Sequence, residues 1–230
     1  MFTHTNQGAD CKTLEQREGG SGERSVEVSE ALPLLAELSF GVTGQAIPVD
    51  HGYQLFSALA HFQPELHNLS NLSIQTITNT TFKSRKLLLT KYSKLRVRLP
   101  VEKVPLIYSL AGRSIMIGGD KVRFNIPSID LLCPSKTLYS RMVVIKGKDQ
   151  PEPFLVSAKQ KLNYLGIEGA IKISLASNGT YNRKTLKVRG YTVVGFSLEV
   201  TNLNDDDSLK LQSYGIGAKR KMGCGIFVPK

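Results

Sequence analysis

No run of this sequence approaches the roughly 18 uncharged apolar residues that a spanning helix needs. Its first residues, MFTHTNQGADCKTLEQREGGSGER, are polar where a secretory signal is apolar. Cysteine is scarce as well. Cys11, Cys133 and Cys224 are far apart, odd in number and without a CxxC pair, which excludes a disulfide framework and a zinc knuckle. They read as ordinary thiols, and neither a metal site nor a small-molecule cofactor is predicted. A soluble cytoplasmic protein is expected, without a membrane partner. In that compartment the Asn-x-Ser/Thr sequons starting at Asn68, Asn71, Asn79 and Asn178 go unused.

Acid is the other shortage. Against 30 Lys+Arg there are 19 Asp+Glu, a net charge of +11, so the expected partner is a polyanion. The acids are also unevenly spread. Residues 1–31 hold Asp10, Glu15, Glu18, Glu23, Glu27 and Glu30 against Lys12, Arg17 and Arg24, a net charge of −3, which leaves +14 on residues 32–230. That leader has few large apolar residues and a Gly-Gly-Ser-Gly stretch at 19–22, and it reads as a disordered extension. The chain as a whole is 41% hydrophobic, enough to bury a core in one domain or two small ones.

From Leu34 onward short apolar runs alternate with turn residues. Strands are predicted at 34–42, 72–78, 86–92, 95–99, 114–117 and 121–126, with helices over 52–62, opened by Asp50 as N-cap, and over 101–110. Strand, helix, strands, helix, strand is the order of a ferredoxin-like or RNA-recognition half. A second pass follows: a strand at 138–146, a helix at 153–165 burying Phe154, Leu155, Ala158, Leu162 and Leu165, and strands at 171–175, 185–188 and 191–203. A short polar helix at 206–214 and a terminal segment at 226–229 close the chain. The fold class expected is α+β, as tandem ferredoxin-like domains over 32–132 and 133–230.

The most informative segment is GIGAKRKMGCGIF, residues 215–227. It sets Gly215, Gly217, Gly223 and Gly225 around Lys219, Arg220 and Lys221, with no acid after Asp207. Glycines let backbone N–H groups approach a phosphate chain, and adjacent cations add charge there, a combination suited to a nucleic-acid backbone. A P-loop would need Ser or Thr after the lysine, and a dinucleotide fingerprint would need glycine where Arg220 stands; both fail. A solvated basic hairpin with glycines in its turns is the plainer alternative.

Gly-x-Gly-x-x-Arg-x-x-Gly-x-Gly close to the C-terminus resembles the signature of the CRISPR-associated Cas-six family, endoribonucleases that cut precursor CRISPR RNA within each repeat. Residues 47–55 (IPVDHGYQL) resemble the lead into that family's first helix. Leu110-Ala111-Gly112 with Ile115, and Asp207-Ser208-Leu209 with Leu211-Gln212, resemble later segments. The likeness is to the MYXAN-subtype branch and covers about residues 34–230. It implies tandem ferredoxin-like domains, CRISPR repeat RNA as partner, and metal-independent cleavage to a 2′,3′-cyclic phosphate and a 5′-OH, without cofactor. It also leaves room for a non-catalytic subunit holding guide RNA in a CRISPR effector complex.

Such cleavage needs a base for the 2′-OH, an acid for the leaving 5′-oxygen and cations for the charge on phosphorus. Histidine suits both proton transfers, and only His4, His51, His61 and His67 are present. His4 lies in the leader, and His61 lies within the first helix beside Phe62. His51 stands at the helix start, where the dipole disfavours its charged form. His67 follows the helix on a polar loop, where the resemblance puts the catalytic histidine, so His67 and then His51 are the candidates. Tyr53 is the nearest candidate tyrosine, but it reads first as a core aromatic. For RNA binding, the resemblance points to Arg183 and Lys184 and less directly to Arg141, beside the glycine loop. Lys83, Arg85 and Lys86 cluster near one strand start, and Lys94, Arg96 and Arg98 alternate along another and are expected to share a solvated face. A DNA-binding reading lacks any helix-turn-helix or basic-helix signature.

Overall fold

A computed structural model describes residues 32–230, which form one compact unit. The leader at 1–31, with His4 and Cys11, lies outside the described residues. The fold is mixed α/β, with every strand pairing antiparallel.

The first half contains β1 (Leu35–Gly44), β2 (Ala46–Pro48), α1 (Gly52–Phe62), β3 (Ser73–Ile74), β4 (Thr81–Lys83), β5 (Lys86–Leu88), β6 (Lys94–Pro100), α2 (Val104–Tyr108), β7 (Ser114–Ile117), β8 (Asp120–Phe124) and β9 (Ser128–Leu131). Its main sheet runs β3-β6-β1-β8-β7, with β9 in line with β8 along one edge of β1, while β2, β5 and β4 make a separate small sheet. Alternation builds the main sheet. Leu38, Phe40, Leu95, Val97 and Leu99 all point to one face, where they meet Leu55, Phe56 and Leu59 of α1 in a dry core. Fully burying each such side chain is worth about 1.5–3 kcal/mol.

The second half contains β10 (Thr137–Val143), α3 (Pro151–Tyr164), β11 (Ala170–Ile173), β12 (Arg183–Val188), β13 (Tyr191–Thr201), α4 (Asp205–Tyr214) and β14 (Val228–Pro229). β10 and β14 lie on one side of the long β13, with β11 and β12 in line along its other edge. Phe154, Ala158 and Leu162 of α3 are buried against Phe196, Leu198 and Val200, as their spacing predicts, and Leu155 and Leu165 are partly buried beside them. Asn204 caps α4 by accepting from the Asp207 N–H at 2.8 Å.

Three local expectations are corrected. Asp50 does not cap α1: His51 occupies that position without a side-chain cap bond, and Asp50 Oδ2 accepts instead from the Lys187 N–H at 2.6 Å. The stretch 72–78 is a strand only at Ser73–Ile74; beyond it the Gln75 N–H donates singly to Arg96 O, and Thr78 pairs with Lys94 as an isolated bridge. The 101–110 helix divides into a 3-10 turn at Val101–Lys103 and the single α turn of α2, with Pro105 at its start.

Candidate active site

The start of α1 is where the two halves meet chemically. His51 is buried; its Nδ1–H donates to Pro48 O at 3.0 Å and its Nε2 accepts the Ile77 N–H at 2.9 Å. That pattern fixes a neutral imidazole, and burial is the main reason its pKa is held below the ordinary value. Both nitrogens are engaged, so His51 offers no proton acceptor to a ligand. Gly52 follows because a Cβ there would lie 2.5 Å from Met222 O. Tyr53 is half-buried rather than a core aromatic, and its hydroxyl accepts from Arg189 Nε at 3.3 Å.

His67 ends the 3-10 turn Pro64–His67 and is exposed, its ring edge-on to Phe56 with centroids 5.3 Å apart. The C-terminal loop reaches the same place. Lys221 Nζ donates to Leu66 O at 2.9 Å and to His67 O at 2.7 Å, tying the loop to the turn that carries the imidazole. Phe56, Leu69, Leu72, Gly217, Lys219 and Met222 line a shallow depression beside it. His61 lies elsewhere, in a groove between α1 and β7.

The loop's glycines serve backbone-to-backbone packing. A Cβ on Gly215 would lie 2.1 Å from Gly225 O, and one on Gly217 2.3 Å from Val144 O. The amides of Gly215, Ala218, Met222, Gly223, Cys224 and Gly225 donate to carbonyls of Leu211, Val144, Lys219, Arg220, Lys219 and Met142. These N–H groups are thus committed within the protein, where the sequence pattern suggested that they face phosphate. Gly215 and Gly225 are buried, Gly223 is half-buried, and Gly217 and Lys219 are exposed at the crest. Arg220 turns inward: its guanidinium donates to Ser73 Oγ at 2.7 and 3.1 Å and to Ser213 O at 2.5 Å. Burial, with the Arg98 charge nearby, brings its pKa down to about 10. Burial also raises the Cys224 thiol to about 11, which makes it inert.

Lys94, Arg96 and Arg98 do share a face, but only Lys94 on it is exposed. The two arginines meet Glu37, Arg96 at 3.6 Å and Arg98 at 2.8 Å, and Arg98 is only 2% exposed. Its Nη1 donates to Gln212 O at 2.6 Å and Phe227 O at 3.1 Å, joining the first sheet to the end of α4. Sequence reasoning missed this tie, and it missed Ser73 as the seat of Arg220; a charged residue among Leu95, Val97 and Leu99 was the only available signal. Arg183 is exposed and Lys184 half-buried on β12, whose exposed face also carries Lys187. Arg141 is exposed at the bulge of β10, near enough to His51 and Cys224 to lower the pKa of each.

Residues 36–230 match the family model described as Cas6 Crispr. The chain is 33% identical over 201 residues to the CRISPR-associated endonuclease Cas6 of Myxococcus xanthus (strain DK1622), an alignment spanning 86% of this chain and 83% of that protein. Among solved structures it is similar to a Cas6-related protein from Pyrococcus furiosus, with a TM-score of 0.57 at 15% identity over 85% of this chain and 98% of the other. A CRISPR associated protein Cas6 gives 0.55 at 15% over 86% and 99%. These two likenesses establish a shared fold.

Proposed function

Because the chain belongs to the Cas6 family, we propose that it is an endoribonuclease that cuts precursor CRISPR RNA within the repeat, on two ferredoxin-like halves, 32–132 and 133–230. The observation that carries this reading is the bond from Lys221 to the His67 carbonyl, which brings the basic C-terminal loop and the one exposed histidine of the turn after α1 to a single place. The reaction proposed is metal-independent. The substrate 2′-OH gives its proton to a base and attacks the adjacent phosphorus; the P–O5′ bond breaks, and the leaving oxygen takes a proton from an acid. The products are a 2′,3′-cyclic phosphate and a 5′-OH. His67 serves as base or acid, and its exposed side chain makes no hydrogen bond within the described residues.

Lys219, Arg141, Arg183 and Lys184 are the cations assigned to RNA. Lys219 stands on the crest beside the depression, and the others lie on β10 and β12. Arg220, Gly215 and Gly225 are assigned to holding the loop in shape, since their groups are already used inside the protein. His51 is assigned to positioning the start of α1 against residues 75–78, not to proton transfer.

The test uses labelled repeat RNA in EDTA, beside a copy carrying 2′-deoxy at the cleaved nucleotide. Wild-type protein is expected to cut the first and spare the second. His67→Ala should lose about 10²- to 10⁴-fold in rate, with repeat binding retained. Salt-sensitive binding without cutting of either RNA would replace this reading with a guide-holding subunit.

A further inference from the structure

A second basic surface lies outside the site just described. Between Glu65 and Glu102 the chain has no acid and seven cations, Lys83, Arg85, Lys86, Lys91, Lys94, Arg96 and Arg98. Arg96 and Arg98 are taken up by Glu37, and Lys86 by Asp120 at 2.7 Å. Among the described residues no ion pair engages the other four, all of them exposed. The same stretch carries two aromatic rings that the fold leaves in solvent: Phe82, 66% exposed on β4, and Tyr92, 64% exposed, with Lys91 Nζ 5.0 Å from its ring centroid.

The β4–β5 hairpin presents this group on a tight two-residue turn. Lys83 pairs with Lys86, and Ser84 and Arg85 both take left-handed φ, 50° and 61°, without glycine. Tyr92 is tied to the base of the hairpin by Asn79 Nδ2, which donates to Tyr92 O at 3.0 Å. The connection to the site is short. Thr76 touches Gly223 of the C-terminal loop, Ile77 donates to His51, and Phe82 follows five residues later, at most roughly 17 Å along an extended chain.

An exposed phenyl ring on a strand carrying cations and no acid is the combination that holds single-stranded nucleic acid: the ring stacks a base and the cations follow the phosphates. We propose that the β4–β5 hairpin is a second RNA subsite, which holds an unpaired segment of the precursor by stacking a base on Phe82, with Lys83 and Arg85 on adjacent phosphates. Tyr92 offers a second ring, one face of which Lys91 already covers. The proposal rests on the RNA-processing reading above and adds to it a contact for single-stranded rather than paired RNA.

The experiment measures binding of a fluorescently labelled oligouridylate of about ten nucleotides, a same-length abasic ribose-phosphate oligomer and the repeat RNA. The proteins are wild type, Phe82→Ala, Phe82→Leu and the double variant Lys83→Ala/Arg85→Ala. Both Phe82 variants should weaken oligouridylate binding about tenfold while leaving the abasic oligomer and the melting temperature unchanged. The double cation variant should weaken both oligomers and flatten the salt slope by about 1.4. An unchanged affinity for oligouridylate in Phe82→Ala, with repeat binding intact, would overturn the subsite alone. So would equal losses on the two oligomers, or a Phe82→Leu protein that binds like wild type. A wild-type protein that binds neither the repeat nor the oligouridylate would overturn the RNA-processing reading itself.

Discussion

The C-terminal loop and the β12–β13 hairpin look alike as sequence, each a short basic run beside glycine, and they use their cations in opposite ways. Arg220 and Lys221 point into the protein; Arg183, Lys187 and Arg189 point out. The difference lies in what is within reach. The last carbonyls of a helix have no intrahelical donor and carry the negative end of its dipole. α4 has no basic residue of its own in its last turn, and its Gln212 and Ser213 carbonyls receive Arg98 and Arg220; the Leu66 and His67 carbonyls receive Lys221. β12 is paired along its length to β13 and offers no such vacancy, so Arg183 and Lys187 remain in water. A cation near an unfinished helix end becomes structure, and one on a finished strand stays available to a ligand.

The sharpest way to break this contrast is Arg98→Met. Removing a buried guanidinium leaves Glu37 with only the longer Arg96 pair and the Gln75 amide, and the Gln212 and Phe227 carbonyls without their donor, so stability in urea should fall by about 3–5 kcal/mol. The double variant Arg98→Met/Glu37→Gln should recover only the part of that loss that comes from the Glu37 charge, because the two carbonyls stay without their donor. A loss below about 0.5 kcal/mol would put Arg98 with the outward cations.

Glycine substitution probes the same contrast in the backbone. Gly225 has φ +68° and a Cβ position 2.4 Å from Ile216 O, whereas Gly190, at the tip of the hairpin, has φ +85° with nothing within 4 Å. Gly190→Ala therefore meets only the left-handed penalty, about 1–2 kcal/mol. Gly225→Ala adds an overlap with backbone that cannot swing away, and should cost about 2 kcal/mol more. Thermal unfolding of the two variants gives the difference, and equal losses would show that the loop yields freely around residue 225.

Much of the architecture was legible before the coordinates, because hydrophobic period is a local property. The helix over 52–62 and the strand at 114–117 have the predicted ends, and α3 buries the residues its spacing named. Strands β4 and β9 were not seen: all of their residues are exposed, so no buried face left an alternation to read. The site was half legible. The loop and the turn after α1 could be named from sequence, but their meeting depends on Lys221 reaching carbonyls more than 150 residues away. The inward turn of Arg220 and Arg98 was invisible for the same reason, since a sequence does not show which helix end a distant guanidinium will find.

Salt dependence should separate the two classes with a smaller effect. Arg183→Ala removes an exposed cation on a paired strand, so stability should change by no more than about 0.5 kcal/mol. The slope of log K against log salt for repeat RNA should flatten by about 0.7–0.9. Arg220→Ala should do the reverse, lowering the melting temperature while leaving the slope of the residual binding in place. A flattened slope in Arg220→Ala would mean that its guanidinium leaves Ser73 and Ser213 when RNA arrives.

The two histidines beside the loop repeat the contrast in a titratable group, His67 turned out and His51 turned in. Burial is the main cause of the depressed His51 pKa, and its Nε2 must stay unprotonated to accept from Ile77. A histidine whose folded pKa lies below the unfolded value of 6.5 binds its proton more readily in the unfolded chain. Its contribution to stability is complete above about pH 6.5 and is lost as pH falls from there through the folded value. Wild type should therefore lose melting temperature between pH 7.5 and pH 5, a window set by that shift. His51→Gln, which titrates nothing at that position, should be less stable at pH 7.5 and show a shallower decline. Parallel curves for the two proteins would place the acid sensitivity elsewhere and show that the Ile77 N–H can find another acceptor.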